Sequence, residues 1–182
     1  MNILSPARKA IVLGGVALAA LALACSEPQE ATSPKDQNAV VSAPSFTAGV
    51  GLTGQLLARA SSDGDFKLKR KNGKWEFDIN AKDPTDVAIQ QLNYQPGGTS
   101  GWHSHPGPVL LQVTSGTVTF YEGRGPCTPV TRTVGQLFIE TGEHAHLGRN
   151  EGSTPATAIA VVFAPVGSVL RVDERAPGNC PF

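Results

Sequence analysis

Between Phe66 and Glu174 the apolar residues of this chain recur at every second position or in short runs, and Gly, Pro, Asn or Asp close the runs. A period of two puts alternate side chains on opposite faces of an extended backbone, so the pattern predicts β-strands. They fall at residues 66–70, 74–79, 86–95, 101–105, 108–114, 117–122, 136–141, 144–149, 156–164 and 168–173. Asn72-Gly73, Pro96-Gly97-Gly98, Pro106-Gly107-Pro108, Ser115-Gly116 and Glu151-Gly152-Ser153 supply turns between several of them. The only helix the pattern admits downstream of residue 24 is a short one from Gly54 to Ser61. Many short strands with no helical period predict an all-β sandwich or barrel, with the jelly roll as one way of closing it.

The first residues follow another rule. Arg8-Lys9 precede an apolar run from Ala10 to Ala24 that ends in small residues, the pattern of an export signal over residues 1–24. The run is shorter than the ~20 residues a spanning helix needs. Ala22-Leu23-Ala24 fits the small-x-small rule for signal cleavage, but Cys25 follows at once, and after it the polar stretch Ser26-Glu27-Pro28-Gln29-Glu30. This resembles a bacterial lipoprotein signal, in which the Cys becomes the lipidated first residue. Ala22 stands where such signals usually carry Leu, and Leu21 lies one place further out. The resemblance implies lipidation at Cys25 and a cell-envelope location, held to the membrane through the lipid anchor; a periplasmic or secreted protein is the alternative. Residues 25–45, rich in Ser, Pro, Gln, Ala and Thr, have the composition of a flexible tether. Residues 46–182 are left as a single folded domain.

Composition narrows the partners. With 15 Lys+Arg against 15 Asp+Glu the chain lacks the basic excess that nucleic-acid binding requires, and losing Arg8 and Lys9 with the signal leaves it mildly acidic. No phosphate loop, nucleophile elbow or pair of general-acid carboxylates is evident. Lipidation of Cys25 would leave two Cys of three, Cys127 and Cys180, as an even pair. In an oxidising compartment they are expected to form a disulfide that pins the C-terminal tail to the body; two free thiols are the alternative.

All four His of the chain fall into two H-x-H pairs, His103/His105 and His144/His146. On a strand, residues two apart share a face, so each pair would present two imidazoles together. A lone His on an apolar face is more often a satisfied core residue than a ligand. Two pairs on strands facing across a barrel make a composite metal site the better reading, against histidines bonded only to one another, a ligand or water.

The spacing around these pairs resembles the cupin family. Gly97, five residues, His103-x-His105, three residues to Val109 and six more to Gly116 resemble the first cupin motif. Gly135, five residues to Thr141, then His146 and three more to Asn150 resemble the second. The resemblance covers about residues 86–165. It implies a jelly-roll β-barrel with the histidines lining its interior, and His103, His105 and His146 as metal ligands. His144 would be a fourth ligand or a neighbour facing the substrate, on the same face as His146. Cupins commonly pair barrels edge to edge, so a homodimer is compatible.

The departures bear on chemistry. The pattern has Glu where this chain has Val109, so the usual carboxylate ligand is missing, and Thr141 and Glu143 replace Pro and Gly, with Gly142 displaced by one. Neutral imidazoles alone would leave a divalent ion its full +2, a strong Lewis acid suited to an anionic ligand. Zn, Fe, Cu or Ni fit such a site; loss of a hard oxygen makes Mn less favoured. Two functional classes follow: a module binding a metal and a small-molecule ligand, or a metal-dependent enzyme (dioxygenase, isomerase or decarboxylase) acting on a small polar molecule. A metal-free structural barrel is the third reading.

Remaining features are secondary. Trp102 should point away from the metal face and pack at the rim, with ligand stacking as the alternative. Tyr121, Gln112 and Glu140 are candidate polar contacts of unassigned facing. Pro106-Gly107-Pro108 is a rigid turn that fixes where Val109 enters the cavity. Lys67 to Lys71 with Lys74 form a basic stretch, read as a solvated hairpin, with anionic lipid heads or glycans as the alternative partner.

Overall fold

A computed structural model describes residues 46–182; the expected signal, the Cys25 lipidation site and the tether lie outside the described residues. The strands are β1 (Val50–Ser61), β2 (Phe66–Asn72), β3 (Trp75–Ala81), β4 (Thr85–Thr99), β5 (His103–Ser104), β6 (Val109–Ser115), β7 (Thr117–Glu122), β8 (Val130–Thr133), β9 (Leu137–Glu140), β10 (His146–Arg149), β11 (Ala156–Pro165) and β12 (Val172–Asp173), with no helix among the described residues. One antiparallel sheet runs β12-β5-β10-β4-β11-β6-β9, with β1 added on β4 and β7 joining β10 to β8. It curls into the nearly closed jelly-roll barrel that the strand pattern predicts, while β2 and β3 form a separate hairpin.

Alternation fixes which face is inside. Along β11 the buried residues are Ala156, Ala158, Ala160, Val162 and Ala164, and along β6 they are Val109, Leu111 and Val113. These face Tyr94, Val118, Phe120 and Phe138 in one core, where Phe120 stacks on Phe138 with ring centroids 3.9 Å apart. Each large side chain buried there contributes roughly 1.5–3 kcal/mol. The alanines of β11 are small for barrel-lining positions, and Ala160 lines a cavity of about 360 Å³ together with Val162, Leu92, His103 and His105.

The expected helix at residues 54–61 is instead part of β1. Local propensity in Gln55-Leu56-Leu57-Ala58 favours a helix, but pairing with β4 from Leu52↔Tyr94 to Ser61↔Asp86 outweighs it. A register shift between Leu56 and Ala58 breaks the period of two, which hid the strand from pattern reading. β8 was not expected, and the strands expected over 101–105, 144–149 and 168–173 shrink to β5, β10 and β12. The basic stretch lies on the β2–β3 hairpin, where Lys69 reaches Glu76 at 3.0 Å and Asp78 at 3.3 Å in the open.

Asp86 locks β1, β4 and the turn after β11 together. Its carboxylate is 2% exposed and accepts hydrogen bonds from Arg59 Nε (2.8 Å), Ser61 and the Gly167 N–H (2.9 Å). Those from Ser61, Gly167 and Arg59 together outweigh burial and hold its carboxyl at about 2. An unfolded Asp titrates near ~3.9, so this contribution to stability is present above about pH 4 and is lost as the pH falls towards 2. Thermal melts between pH 2 and 7 should show that Asp86→Asn lowers Tm at neutral pH and flattens the acid limb; an acid limb of unchanged steepness would remove Asp86 from it.

A second small cluster sits outside the barrel interior. Trp102, Leu147 and Cys180 are buried together, with Tyr121, Cys127 and Ala145 against them. Cys127 and Cys180 form the expected disulfide, with Cα atoms 5.1 Å apart. Trp102 therefore packs beneath the bridge and is not among the residues lining the cavity.

Candidate metal centre

Three of the four histidines converge. His103 in β5 and His146 at the start of β10 are direct register partners, and His105 follows β5 directly. Their ring centroids are 4.5 Å (His103–His146), 4.9 Å (His103–His105) and 5.1 Å (His105–His146) apart, and one ligating nitrogen from each lies within 4.8 Å of the others.

The backbone decides which nitrogens those are. His103 Nδ1 meets the Gly101 carbonyl at 2.9 Å, His105 Nδ1 the Leu170 carbonyl at 2.6 Å, and His146 Nδ1 the His144 carbonyl at 3.0 Å. A carbonyl only accepts, so each Nδ1 carries the proton and donates. In the neutral ring that leaves the Nε2 lone pair free, and such outer bonds are what orient metal-binding imidazoles. Gly101 is needed here: its φ is +66°, and a Cβ on it would lie 2.1 Å from the Thr47 carbonyl oxygen.

Glu140 lies against the cluster from β9. Its Oε2 lies 3.2 Å from His105 Nε2 and 3.1 Å from His146 Nε2, and the side chain is buried. Burial alone would raise its carboxyl, but the close contacts of His105 and then His146 prevail and hold it at about 2. Burial pushes the His103 imidazole down to about 2, helped by the charges of His146, Arg171 and His105, so it is neutral over the physiological range. For His146 burial is outweighed by the Glu140 carboxylate, which raises the imidazole above its ordinary value.

The other predicted residues lie elsewhere. His144 is half-exposed in the turn before β10, beside Arg124 and 3.9 Å from Glu143, and is outside the cluster. Alternation would put it beside His146 only if the strand began two residues earlier. Val109 is buried and lines the cavity, as its motif position implies. Gln112 is exposed on β6, and the Tyr121 hydroxyl donates to Glu151 at 2.9 Å. Position 109 carries no carboxylate, and Val109 pairs across β6 and β9 with Glu140, whose Oε2 lies against His105 Nε2 and His146 Nε2.

Sequence reasoning missed Arg171 altogether. It lines the cavity, donating from Nη2 to the Ser100 carbonyl at 2.7 Å and from Nε to Asp173 at 2.7 Å. No motif marks it. Tyr94 also lines the cavity, and burial, then the Glu140 charge, keeps its hydroxyl protonated well above the usual phenol range.

The donor set fits a transition metal. His146 Nε2 is buried with no hydrogen-bond partner, an orphaned atom that converges with two further imidazoles and lies 3.1 Å from a Glu140 oxygen. His103, His105 and His146 would hold such an ion.

None of the curated proteins matches the chain. A double-stranded β-helix protein from Klebsiella pneumoniae subsp. pneumoniae MGH 78578 is 21% identical, over 49% of this chain and 75% of that one, with a TM-score of 0.42. A cupin-like protein from Thermotoga maritima is 20% identical, over 50% of this chain and 65% of that one, also with a TM-score of 0.42. An oxalate oxidase in complex with the substrate analogue glycolate is 23% identical, with a TM-score of 0.38, over 43% of this chain and only 42% of its own length. Residues 90–162, which run from the centre of β4 through both histidine strands into β11, match the family model for the cupin domain, and the barrel built around them has the cupin jelly-roll fold.

Proposed function

We propose that this protein is an exported cupin, anchored through Cys25, that binds a divalent transition metal on His103, His105 and His146 and receives a small anionic molecule in the adjoining cavity. One observation carries the metal reading. All three Nδ1–H groups are committed to backbone carbonyls, so three Nε2 atoms converge with no protein donor placed to satisfy them all. A divalent ion held there would act as a Lewis acid towards an oxygen of the ligand.

The rest of the cavity supports the ligand class. Its volume of about 360 Å³ is near the small end of ligand pockets, ~300–1,000 Å³. Arg171 keeps N–H groups beyond those given to Ser100 and Asp173, and a guanidinium suits a carboxylate. Tyr94 offers a protonated hydroxyl. Together these favour a binding module for a small acid. The second reading, a metal-dependent dioxygenase, isomerase or decarboxylase, draws support from Tyr94 and Glu140 as proton donor and acceptor lining one cavity. The disulfide supports an oxidising compartment.

Elemental analysis of protein purified without a His tag is expected to find about one divalent ion per chain. A value near zero would leave the metal-free barrel. Oxygen uptake and product analysis against a panel of small carboxylic acids and thiols then divide the two classes: turnover supports the enzyme, and saturable binding without turnover the module. In the same cells Cys25→Ser should move the protein from the membrane to the soluble fraction, and retention in the membrane would overturn the anchor.

A further inference from the structure

We propose that Glu140 is the fourth, anionic ligand of the centre, delivered from β9 in place of a carboxylate at position 109. The proposal rests on the reading of His103, His105 and His146 as a metal site. It starts from register: Val109 on β6 and Glu140 on β9 are directly opposed, and both are buried. Opposed residues have Cβ atoms ~4.5–5.5 Å apart, so side chains launched from the two positions reach nearly the same volume. Val109 has no polar atom to offer there, and Glu140 has two oxygens.

The direction of contact separates a ligand from an outer partner. A residue that merely orients an imidazole bonds to the nitrogen facing away from the metal, and here backbone carbonyls already hold all three of those nitrogens. Glu140 approaches the opposite, inward side, at His105 Nε2 and His146 Nε2. Two ligands at ~2.1 Å from one ion and at right angles are about 3.0 Å from each other, close to the 3.2 and 3.1 Å observed. Charge agrees. Among the described residues no Lys or Arg forms an ion pair with Glu140, and a buried carboxylate without a fixed cation is costly. A divalent ion supplies that cation.

The consequence is a change of metal preference. One hard oxygen beside three imidazoles lowers the net charge of a loaded site from +2 to +1 and restores suitability for Mn²⁺ and Fe²⁺. The test titrates Mn²⁺ and Zn²⁺ separately into metal-stripped protein, and records the visible absorption of the Co²⁺-loaded form. Glu140→Gln, which keeps shape and burial, should weaken Mn²⁺ binding by at least ~100-fold, should weaken Zn²⁺ binding less, and should alter the Co²⁺ spectrum. The paired exchange Val109→Glu with Glu140→Val should return Mn²⁺ affinity to within ~10-fold of wild type. Unchanged Mn²⁺ affinity and Co²⁺ spectrum in Glu140→Gln would overturn the assignment while leaving the three-histidine site standing. Wild-type protein that binds none of the three ions would overturn both.

Discussion

Replacing His146 with Ala is expected to abolish metal binding at micromolar concentrations of Zn²⁺, with affinity falling by roughly 1,000-fold or more. Loss of an outer partner of a metal ligand typically costs ~10–100-fold, and His146 stands closer than that. It is buried, lies opposite His103 in register, and its Nε2 is held by no hydrogen bond. His103→Ala should behave alike, since the His103 ring is held neutral by burial and needs to release no proton to bind. His144→Ala provides the contrast. Its ring lies in the turn beside Arg124, so affinity should stay within ~3-fold of wild type. Isothermal titration of the three variants checks the set. Metal retained by His146→Ala but lost by His144→Ala would mean that the cluster is not the site.

The contrast between His144 and His146 also marks how far sequence carries. Period-two alternation was a sound guide along β11, where Ala156 to Ala164 face inward at every second place. At residues 144–146 it failed because the strand begins only at His146, and outside a strand spacing says nothing about facing. β1 was lost for the related reason that a bulge puts Leu56 and Leu57 both in solvent, so no period of two survives to be read. The three ligand candidates were legible from the motif because both histidine segments are fixed by local glycines and turns. Glu140 and Arg171 were not, because their place depends on which strands become neighbours. Glu140 shares its inward face with Phe138, but only the β6–β9 pairing sets it opposite Val109. Long-range register is a tertiary fact, and the carboxylate of this centre depends on it.

The disulfide should give the largest effect on stability. Cys127 and Cys180 are separated by 53 positions, and the chain-entropy model assigns a loop of that length roughly 4 kcal/mol. For a domain of this size that corresponds to a fall in Tm of roughly 10–20 °C in Cys127→Ser/Cys180→Ser or on reduction. Beyond the pairing of β12 with β5, the tail is tied by Asn179 Nδ2 donating to the Glu122 and Gly125 carbonyls at 2.9 and 3.2 Å, by Glu174, whose N–H donates to the Trp102 carbonyl at 2.9 Å and whose carboxylate accepts from the Ser104 hydroxyl at 2.8 Å, and by Phe182, which packs edge-on to Tyr121 and beneath Arg149. Individually these are worth about 1 kcal/mol, too little to hold the tail in place of the bridge. Release would uncover Trp102, which is 1% exposed, whereas Trp75 is already in solvent, so tryptophan emission should move to the red. The same event bears on the metal centre through β12, which joins the tail to the Leu170 carbonyl that orients His105 and to the Arg171 side chain at the cavity. Zn²⁺ affinity should therefore fall ~10-fold in the reduced protein, the size expected for a loosened outer partner rather than a lost ligand. Melting and emission unchanged on reduction would show that the tail is held by packing alone, and Zn²⁺ affinity unchanged despite a lower Tm would uncouple the bridge from the site.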